Sequence, residues 1–548
     1  MGRHVPRFGN VEGPRSSGGL EGIPFMPGLN TVVRFPSRRR LGPALLFLVG
    51  FGLFLLLTSW ILNGDAKQLI YTGLGVVVIV ITLRILDSWR DGFYMFLIWL
   101  LLEDLIRKFM GNNMAIYFAK DFLVGVAYVS FLIAMRRQAV KLFRPPFLVA
   151  LNLFILIGVV QMFNPNSPSF VYGLLGMKLY FYYMPLMFLG YAIIETEEDL
   201  RRFLVVNTGL AGIIALLGII QSIVGLTFLN PQVLAPDLEV LGNLTRRAPI
   251  SGILVPRPTS VFVSDGRFAS YMVLMFIMGA GAAGYLLMRT RKGRLVVFLS
   301  IALSAVGGVM SGSRGAFLYI AGSAVVMSTA MVWGAPWRFR EGHRLIRVIQ
   351  RGALLTAVGL ILVLLIYPEA IKARWALYSE TLSPDSASYE LGFRVWQYPV
   401  NNLMAAFDDP HWVMGHGIGA ASLGVQYVTR ILGVPPPEVG VESGFGVLIL
   451  ELGVLGLLLW IVWTTKVILA SWSVVRRLKE TPYFPVAFAI LLFTFVLLFL
   501  DTFGGFQAYE NYINNAYLWL LLGILFRLPS LSAEYPIVAM PAKSSRAT

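Results

Sequence analysis

Residues 443–465 read SGFGVLILELGVLGLLLWIVWTT, an apolar run in which Glu451 is the one ionisable side chain. A helix needs about 20 predominantly apolar residues to cross the roughly 30 Å hydrocarbon core of a bilayer. In that core every backbone polar group must find its partner within the protein, and an α-helix meets this condition by itself. The stretch therefore predicts a membrane-spanning helix.

The rest of the chain has the same character. Of its 548 residues, 57% are hydrophobic and 14% are charged, whereas soluble domains average about 45–50% and about 25%. This composition excludes an ordinary soluble enzyme. We predict an all-α polytopic membrane protein with about 14 transmembrane helices. The predicted spans are residues 43–62, 68–86, 92–109, 115–135, 147–163, 170–192, 202–225, 268–288, 295–312, 315–333, 352–368, 443–465, 484–501 and 513–527.

The composition also limits the chemistry of the chain. It has no cysteine, which excludes disulfides and thiolate-ligated metal sites. It has four histidines, namely His4, His343, His411 and His416. From so few histidines we expect neither a metal site nor a cofactor.

The distribution of charge predicts the orientation. With the N-terminus in the cytoplasm, 31 of the 45 Lys and Arg residues fall in cytoplasmic segments, as the positive-inside rule requires. The net charge of +16 is thus a topology signal and not a nucleic-acid footprint. We expect a disordered basic cytoplasmic tail at 1–40, a single transmembrane domain at 41–529 and a second cytoplasmic tail at 530–548.

This topology puts two long connections outside, about 226–267 and 369–440. Long loops are usually functional or disordered. The second loop contains an apolar stripe at helical spacing, formed by Trp396, Val400, Leu403, Met404 and Phe407. We interpret it as an amphipathic helix on the outer membrane face or over a cavity. A loop helix packed on neighbouring spans fits the pattern equally well.

The span at 92–109 is interrupted by Glu103, Asp104, Arg107 and Lys108. Their spacing predicts the i,i+4 pairs Glu103–Arg107 and Asp104–Lys108. We interpret this segment as a helix that leaves the membrane.

Cations beside the spans are the first candidates for function, because an ionisable group is costly there. Arg314 lies in SGSRG at 311–315, where small residues leave backbone amides and a guanidinium in one space. Such a combination suits a phosphate, although an arginine that reaches lipid headgroups is the plainer alternative. Lys178 lies about 12 Å into its span among tyrosines that could line a polar cavity. An ion pair with Asp121 or Glu451 is the alternative.

Two further residues are candidates for acid–base chemistry. Glu442 opens the 443–465 span and is either a general base or the partner of Arg314 or Arg394. His416 lies in GHGIG at 415–419, which follows no strand, so we exclude a dinucleotide site. A turn that presents His416, or a backbone nest, stays open.

Three segments together resemble the O-antigen ligase and Wzy-type polysaccharide polymerase superfamily of bacterial membrane glycosyltransferases. RPTSVF at 257–262 with GRFA at 266–269 resembles the external segment before the central helices of that family. SGSRGA at 311–316 resembles its S-x-S-R-G-A break. ESGF at 442–445 followed by LELGVLG at 450–456 is similar to its last large loop and the next helix. The likeness covers residues 170–465.

The resemblance implies a GT-C-like fold in which arginines hold the diphosphate of a polyprenyl-linked glycan without a metal. Carried over by position, Arg314, Arg394 and Arg257 become the diphosphate candidates, and Arg267 is a further candidate beside Lys178. The ligases typically have a histidine where this chain has Glu442, so the catalytic base stays open between Glu442 and His416.

The implied function is a polysaccharide polymerase of the bacterial inner membrane. It would move glycan from an undecaprenyl-diphosphate-linked donor to an acceptor sugar hydroxyl at the outer face. A ligase that transfers a finished glycan to a lipid or protein is one alternative, and a lipid-linked oligosaccharide flippase is another. The implied partners are the lipid-linked glycan, membrane lipid, and a flippase and chain-length regulator of the same pathway, without nucleic acid.

Overall fold

The computed structural model describes residues 66–111, 114–137, 143–231, 244–334, 339–383, 392–437 and 440–534. The predicted first span, 43–62, and both predicted tails, apart from 530–534, lie outside the described residues. The chain divides into two compact units, Met1–Ile79 and Val80–Thr548. The first unit is described over residues 66–79, which are helical, and every contact discussed below lies in the second.

The described chain is almost entirely helical. The first helices are α1 (Ala66–Asp87), α2 (Trp89–Phe109), α3 (Met114–Arg136), α4 (Leu148–Gln161), α5 (Phe170–Phe181), α6 (Leu186–Ile193) and α7 (Glu197–Val224). Two short antiparallel strands follow, β1 (Thr245–Arg247) and β2 (Leu254–Pro256), with Arg246 opposite Val255.

The second half begins with α8 (Asp265–Arg289), α9 (Arg294–Met310), α10 (Arg314–Gly334), α11 (Phe339–Ile366) and α12 (Pro368–Leu382). A π-helical turn at Phe393–Gln397 leads into α13 (Tyr398–Phe407), which is followed by α14 (Val425–Leu432) and α15 (Gly444–Arg477). The last elements are α16 (Phe484–Phe495), a π-helical turn (Val496–Asp501), α17 (Thr502–Gly504), α18 (Gln507–Glu510) and α19 (Tyr512–Glu534).

Seven helices are long and apolar enough to cross a membrane, which confirms a multi-pass membrane protein. They are Ala115–Arg136, Glu197–Val224, Asp265–Arg289, Arg314–Gly334, Gly444–Arg477, Phe484–Gly504 and Tyr512–Ala533. Three shorter apolar helices, Leu148–Gln161, Arg294–Met310 and Gln350–Ile366, lie at other predicted spans. The predicted short helices of the 369–440 loop are present as α12, α13 and α14.

One predicted span, 170–192, is divided into α5 and α6. The break lies at Tyr182–Pro185, where the Met184 amide donates to the Phe181 carbonyl in a tight turn. Proline has no backbone N–H and its ring clashes with the preceding turn of a helix. The sequence therefore stays apolar across Tyr182–Pro185, but the regular helix is interrupted there.

The most buried span is α8, of which 78% of the apolar window is inside the protein. It packs against α7, α9, α10 and α16. Glycines permit this close packing, since a Cβ at Gly281 would lie 2.8 Å from the Pro485 carbonyl oxygen of α16. The position of α8 fixes its first turn, which carries Arg267.

The long helix α15 is broken at Gly453, where φ is +71° and ψ is 179°. The break leaves a carbonyl before Gly453 and an amide after it without partners inside the helix. The 409–424 loop supplies hydrogen-bond partners for both. The His416 amide donates to the Leu450 carbonyl at 2.6 Å, and the Val454 amide donates to the Trp412 carbonyl at 3.2 Å. This loop and the break in α15 are therefore one hydrogen-bonded unit.

Gly453→Ala should lower the free energy of unfolding by at least about 2 kcal/mol. The positive φ disfavours a side chain, and a Cβ would overlap the Val413 carbonyl. Thermal unfolding of the purified protein in detergent measures the effect. Gly322→Ala, in α10 with nothing within 4 Å of the new Cβ, is the control. Equal stability of the two variants would contradict the role of the break.

Candidate functional site

The first turn of α8 gathers two predicted site residues, Arg257 and Arg267. Ser264 caps the helix by accepting a hydrogen bond from the Arg267 amide at 3.2 Å. Arg257, just after β2, forms an ion pair with Asp265 in the same turn. Arg267 Nη1 lies 2.8 Å from Asp104 Oδ2. Each guanidinium is thus oriented by a carboxylate, and the whole side chains of Arg257 and Arg267 are 17% and 22% exposed.

The 311–314 turn lies directly against Arg257. Gly312 has a φ of +65°, and a Cβ at this position would be 3.2 Å from Arg257 Cγ. Arg314 begins α10 immediately after the turn and is partly exposed. The predicted diphosphate residues Arg257 and Arg314 therefore belong to one region, next to the start of α8. We call Arg257, Arg267 and Arg314 the arginine site.

The sequence predicted that the backbone amides of this turn are open to a ligand, but two of them are already hydrogen-bonded within the turn. The Ser313 amide donates to Ser311 Oγ at 3.2 Å, and the Ala316 amide donates to Ser313 Oγ at 3.3 Å. Serine hydroxyls commonly satisfy the unpaired amides at the start of a helix. The guanidinium groups therefore remain the main anion-binding elements of the arginine site.

Helix α12 closes this region from the side of the 369–440 loop. Arg374 is 1% exposed and donates from Nε to the Met310 carbonyl and from Nη2 to the Pro256 carbonyl, both at 2.8 Å. Burial lowers the pKa of Arg374 to about 10. Burial also raises the pKa of Tyr378 to about 12, although the nearby Arg374 and Arg257 oppose the rise. Arg374 thus fixes the end of α9 and β2 behind the arginine site.

A buried ionic network extends from the arginine site into the protein. Its members are Arg267, Asp104, Arg107, Glu103 and Lys120. The Lys178–Asp121 pair adjoins this network, because Lys120 and Lys178 both lie against the Tyr117 ring. Arg107 Nη1 lies 3.5 Å from both Glu103 Oε1 and Asp104 Oδ1. Lys120 Nζ lies 2.8 Å from Glu103 Oε2, with both side chains fully buried. Because isolated buried charges are costly, each member depends on its neighbours.

The 92–109 segment therefore differs from its sequence interpretation. The Glu103–Arg107 pair is confirmed, but Lys108 does not pair with Asp104. Lys108 Nζ donates instead to Thr259 Oγ1 at 2.9 Å and to the Ser260 carbonyl at 2.8 Å. The predicted i,i+4 pairs would suit a helix whose charged face is exposed. Here the charges are buried against segments that come later in the chain, and these segments supply other partners.

Lys178 makes the alternative contact considered for it, an ion pair with Asp121 at 2.6 Å. Tyr183 donates to the same carboxylate, at 2.7 Å from Oδ1. The pair faces a groove of about 660 Å³ along α3, which we call the α3 groove. It is lined by Thr82, Leu86, Phe118, Asp121, Phe122, Gly125, Val126, Val129, Lys178 and Tyr182. The groove is apolar except where it meets the ionic network.

His416 lies outside the arginine site, on the loop that fills the break in α15. Its Nε2 is 3.1 Å from both carboxylate oxygens of Asp409. Glu451 of α15 anchors the loop, because its carboxylate accepts hydrogen bonds from the Ala421 amide and from Ser422 Oγ, both at 2.8 Å. Glu451 is thus a structural anchor of this loop and does not contact Lys178, the alternative partner considered for it.

His411 lies beside His416, with the two ring centroids 4.8 Å apart. His411 Nδ1 is 3.7 Å from Asp409 Oδ1, and its backbone amide donates to the same oxygen at 2.7 Å. Partial burial acts to raise the pKa of Asp409, but hydrogen bonds from the His411 amide and the His416 ring lower it. Two of the four histidines and a carboxylate thus form one cluster.

Glu442 is exposed at the start of α15. Its amide donates to Asn402 Oδ1 at 2.9 Å, which attaches it to the middle of α13. Within the described part of the chain, its carboxylate forms no ion pair, so the predicted pair with Arg314 is absent. The His416 amide donates to the Leu450 carbonyl, six residues into α15 and roughly 9 Å along its axis from the start of the helix. Glu442 and His416 are therefore not brought together.

The start of α15 and the first turns of α10 contact the same segment, residues 501–505. Ser443 Oγ, next to Glu442, donates to the Phe503 carbonyl at 3.1 Å. Tyr319, five residues after Arg314 in α10, hydrogen-bonds to Asp501. The start of α15 and the first turns of α10 thus flank one segment.

Arg394 lies in the π-helical turn before α13, and its side chain is outside the described part of the structure. The predicted helix is present, but its most buried residues are not those of the predicted apolar stripe. Pro399, Asn402 and Ala406 are buried, whereas Trp396 and Met404 of the predicted apolar stripe are 67% and 57% exposed. Leu403 and Phe407 of the stripe pack against the core, so the stripe is divided between the protein and its surface, and the helix packs on α15.

Compared with models of known protein families, with curated proteins and with solved structures, the chain gives no match.

Proposed function

We propose that this protein is a polysaccharide polymerase that transfers glycan from a polyprenyl-diphosphate-linked donor to an acceptor sugar hydroxyl. The observation that carries the proposal is the packing of the turn that precedes Arg314 against Arg257, which is paired with the first turn of α8, where Arg267 also lies. Planar guanidinium groups bind phosphate oxygens in a bidentate manner. Arginines at the neighbouring starts of α8 and α10 could bind a diphosphate between them, with Arg257 and Arg267 exchanging part of their contact with Asp265 and Asp104 for phosphate oxygens.

In the proposed reaction the bond between the anomeric carbon and the diphosphate oxygen breaks, and its electron pair leaves with the polyprenyl diphosphate. The acceptor hydroxyl oxygen forms the new glycosidic bond, and its proton passes to a base. Negative charge develops on the leaving diphosphate in the transition state. Oriented guanidinium groups stabilise this charge most effectively because their carboxylate partners, Asp265 and Asp104, hold them in place beforehand.

Of the two predicted bases, we assign this role to Glu442. Its carboxylate is exposed, its backbone is fixed by Asn402, and it shares the 501–505 segment with α10. His416 has its Nε2 engaged by Asp409 and belongs to the other end of α13. The reaction as proposed uses no metal and no cofactor.

The α3 groove provides a place for the apolar part of such a donor. Its wall consists of aliphatic and aromatic side chains, and Lys178 and Asp121 form its charged end. The Tyr117 ring separates this end from Lys120, the first member of the buried ionic network that ends at Arg267 in the arginine site. A lipid diphosphate in this groove would keep its chain among apolar groups while its headgroup approached the cations.

The finer features of the proposal follow the sequence. They comprise a GT-C-like arrangement of about 14 spans, both termini in the cytoplasm of a bacterial inner membrane, and the loops at 226–267 and 369–440 on the outer face. A flippase and a chain-length regulator of the same pathway are the proposed partners.

The direct test uses purified protein with a polyprenyl-diphosphate-linked oligosaccharide repeat unit. A polymerase converts it into a ladder of longer glycans. A single transfer to a lipid or protein acceptor would identify a ligase instead. Transbilayer movement of the lipid in vesicles without any new glycosidic bond would identify a flippase.

Glu442→Gln should slow glycan transfer by about 10²–10⁴-fold, the usual contribution of a general base. The substitution keeps the shape of the side chain but removes its ability to accept a proton. Because Glu442 is exposed, the free energy of unfolding should change by less than about 0.5 kcal/mol. Initial rates of ladder formation measure the effect, and Glu369→Gln, a carboxylate 73% exposed on α12, is the control. An unchanged rate in Glu442→Gln would exclude it as the base.

A further inference from the structure

We propose that Asp409, His411 and His416 bind a divalent transition-metal ion, of which Zn²⁺ is the best fit. This revises the sequence-based expectation of a chain without a metal site. It is independent of glycan transfer, because the cluster lies apart from the arginine site and Glu442. The role of the ion is structural.

The geometry of the three side chains matches a metal site. Zn²⁺ binds histidine nitrogen and carboxylate oxygen at about 2.0–2.2 Å in a tetrahedron, which places neighbouring ligand atoms about 3.3 Å apart. His416 Nε2 lies 3.1 Å from Asp409 Oδ1, and His411 Nδ1 lies 3.7 Å from the same oxygen. All three ligand atoms lie within 4.8 Å of one another. The widest pair, within 4.8 Å, would have to close by about 1.5 Å to reach tetrahedral spacing, a movement that rotation of the half-exposed His411 side chain can supply.

An unsatisfied nitrogen supports the same conclusion. The His411 Nδ1 atom is buried without a hydrogen-bond partner, although the side chain as a whole is 43% exposed. A buried polar atom without a partner is unfavourable. Coordination would satisfy it, while the exposed side of His411 leaves a path for the ion and a fourth position for water.

The backbone around the cluster is fixed before any ion binds. The His416 amide donates to the Leu450 carbonyl, and Asn164 Nδ2 donates to the Gly415 carbonyl at 3.1 Å. Gly415 has a φ of +74° and packs on the break in α15. His416 therefore cannot turn away freely, and an ion would connect the end of α13 to this anchored loop.

The ligand set favours Zn²⁺ over Ca²⁺ and Mg²⁺. Two imidazoles and one carboxylate suit borderline transition metals, whereas Ca²⁺ and Mg²⁺ require shells made of oxygen. The proposal therefore includes a selectivity that can be measured.

Chelator-washed full-length protein in detergent should bind one equivalent of Zn²⁺ in competition with a chromophoric chelator, and excess Mg²⁺ should not displace it. His411→Ala and His416→Ala should each weaken Zn²⁺ binding by more than about 100-fold, the upper end of the effect of losing a supporting residue. Asp408→Asn, an exposed neighbouring carboxylate outside the cluster, is the matched control. His411→Ala removes an exposed side chain, so its fold should persist by size-exclusion chromatography.

Thermal stability provides a second readout. Zn²⁺ should raise the midpoint of unfolding of the unaltered protein and of Asp408→Asn, but not that of His411→Ala. The proposal is overturned if the unaltered protein binds no Zn²⁺, or if binding is the same in His411→Ala and Asp408→Asn. Absence of Zn²⁺ binding would mean that His416 and Asp409 only contact each other. Equal binding in the two variants would mean that the ion binds elsewhere.

Discussion

Arg314→Lys should reduce glycan transfer by about 10²–10³-fold, the cost of losing one oriented donor to a developing negative charge. The lysine keeps the positive charge but replaces a planar fork by a single ammonium group. It therefore cannot contact two phosphate oxygens in the fixed directions that the start of α10 imposes. Because the diphosphate carries its additional charge in the transition state, the loss should appear chiefly in kcat. Initial rates at varied concentrations of the lipid-linked donor measure it.

Arg476→Lys, an exposed arginine near the end of α15, is the matched control for this substitution. Both variants should be produced in equal amounts and elute as the unaltered protein does. If Arg314→Lys transferred glycan at the control rate, bidentate binding by Arg314 would be excluded. The arginine site would then have lost its central member.

Lys120→Met should lower the free energy of unfolding by about 3–5 kcal/mol, the effect of leaving one partner of a buried pair uncompensated. Lys120 and Glu103 are both fully buried, and Lys120 Nζ also lies 3.3 Å from the centroid of the Tyr117 ring. Methionine fills a similar volume, so the main change is electrostatic. Equilibrium unfolding in mixed micelles measures the difference.

The double variant Glu103→Gln/Lys120→Met separates charge from packing. Because both charges are absent, it should recover much of the stability lost in Lys120→Met. Lys372→Met breaks an ion pair with Glu369 in which both side chains are about 70% exposed, and it should change stability by less than about 0.5 kcal/mol. A loss in Lys120→Met no larger than that of Lys372→Met would contradict the dependence of Glu103 on Lys120.

The membrane-spanning character of the chain could be predicted from sequence, because length and hydrophobicity alone decide whether a helix suits a bilayer. The interruptions were harder to predict. Pro185 divides one apolar run, and Gly453 breaks another where a loop carbonyl needs the space. Hydrophobicity is insensitive to both, since a broken and an unbroken apolar segment have the same composition.

The arginine site was predictable in part. Arg257, Arg267 and Arg314 could be selected as cations beside spans, but their proximity depends on the docking of β2, α8 and α10. The Glu103–Arg107 pair of the buried ionic network and the adjoining Lys178–Asp121 pair could be proposed from sequence, but the connection of Asp104 to Arg267 and of Glu103 to Lys120 could not. Sequence did not show which cations pair with these carboxylates, because Lys120 and Arg267 lie outside the segment that contains Glu103 and Asp104. The proximity of His411 and His416 depends on an irregular turn, which hydrophobic periodicity does not predict.

The network has a consequence for how this protein is made. Asp104 receives its guanidinium partner from Arg267, which is synthesised 163 residues later. Until then the nascent chain carries Asp104 with Arg107 alone, and each such side chain costs about 2.5–3.5 kcal/mol at the centre of a bilayer. We therefore expect α2 to stay in a polar environment, or to be shielded by the insertion machinery, until α8 emerges from the ribosome. Biogenesis of this protein would then be a late, concerted event and not a stepwise addition of helices.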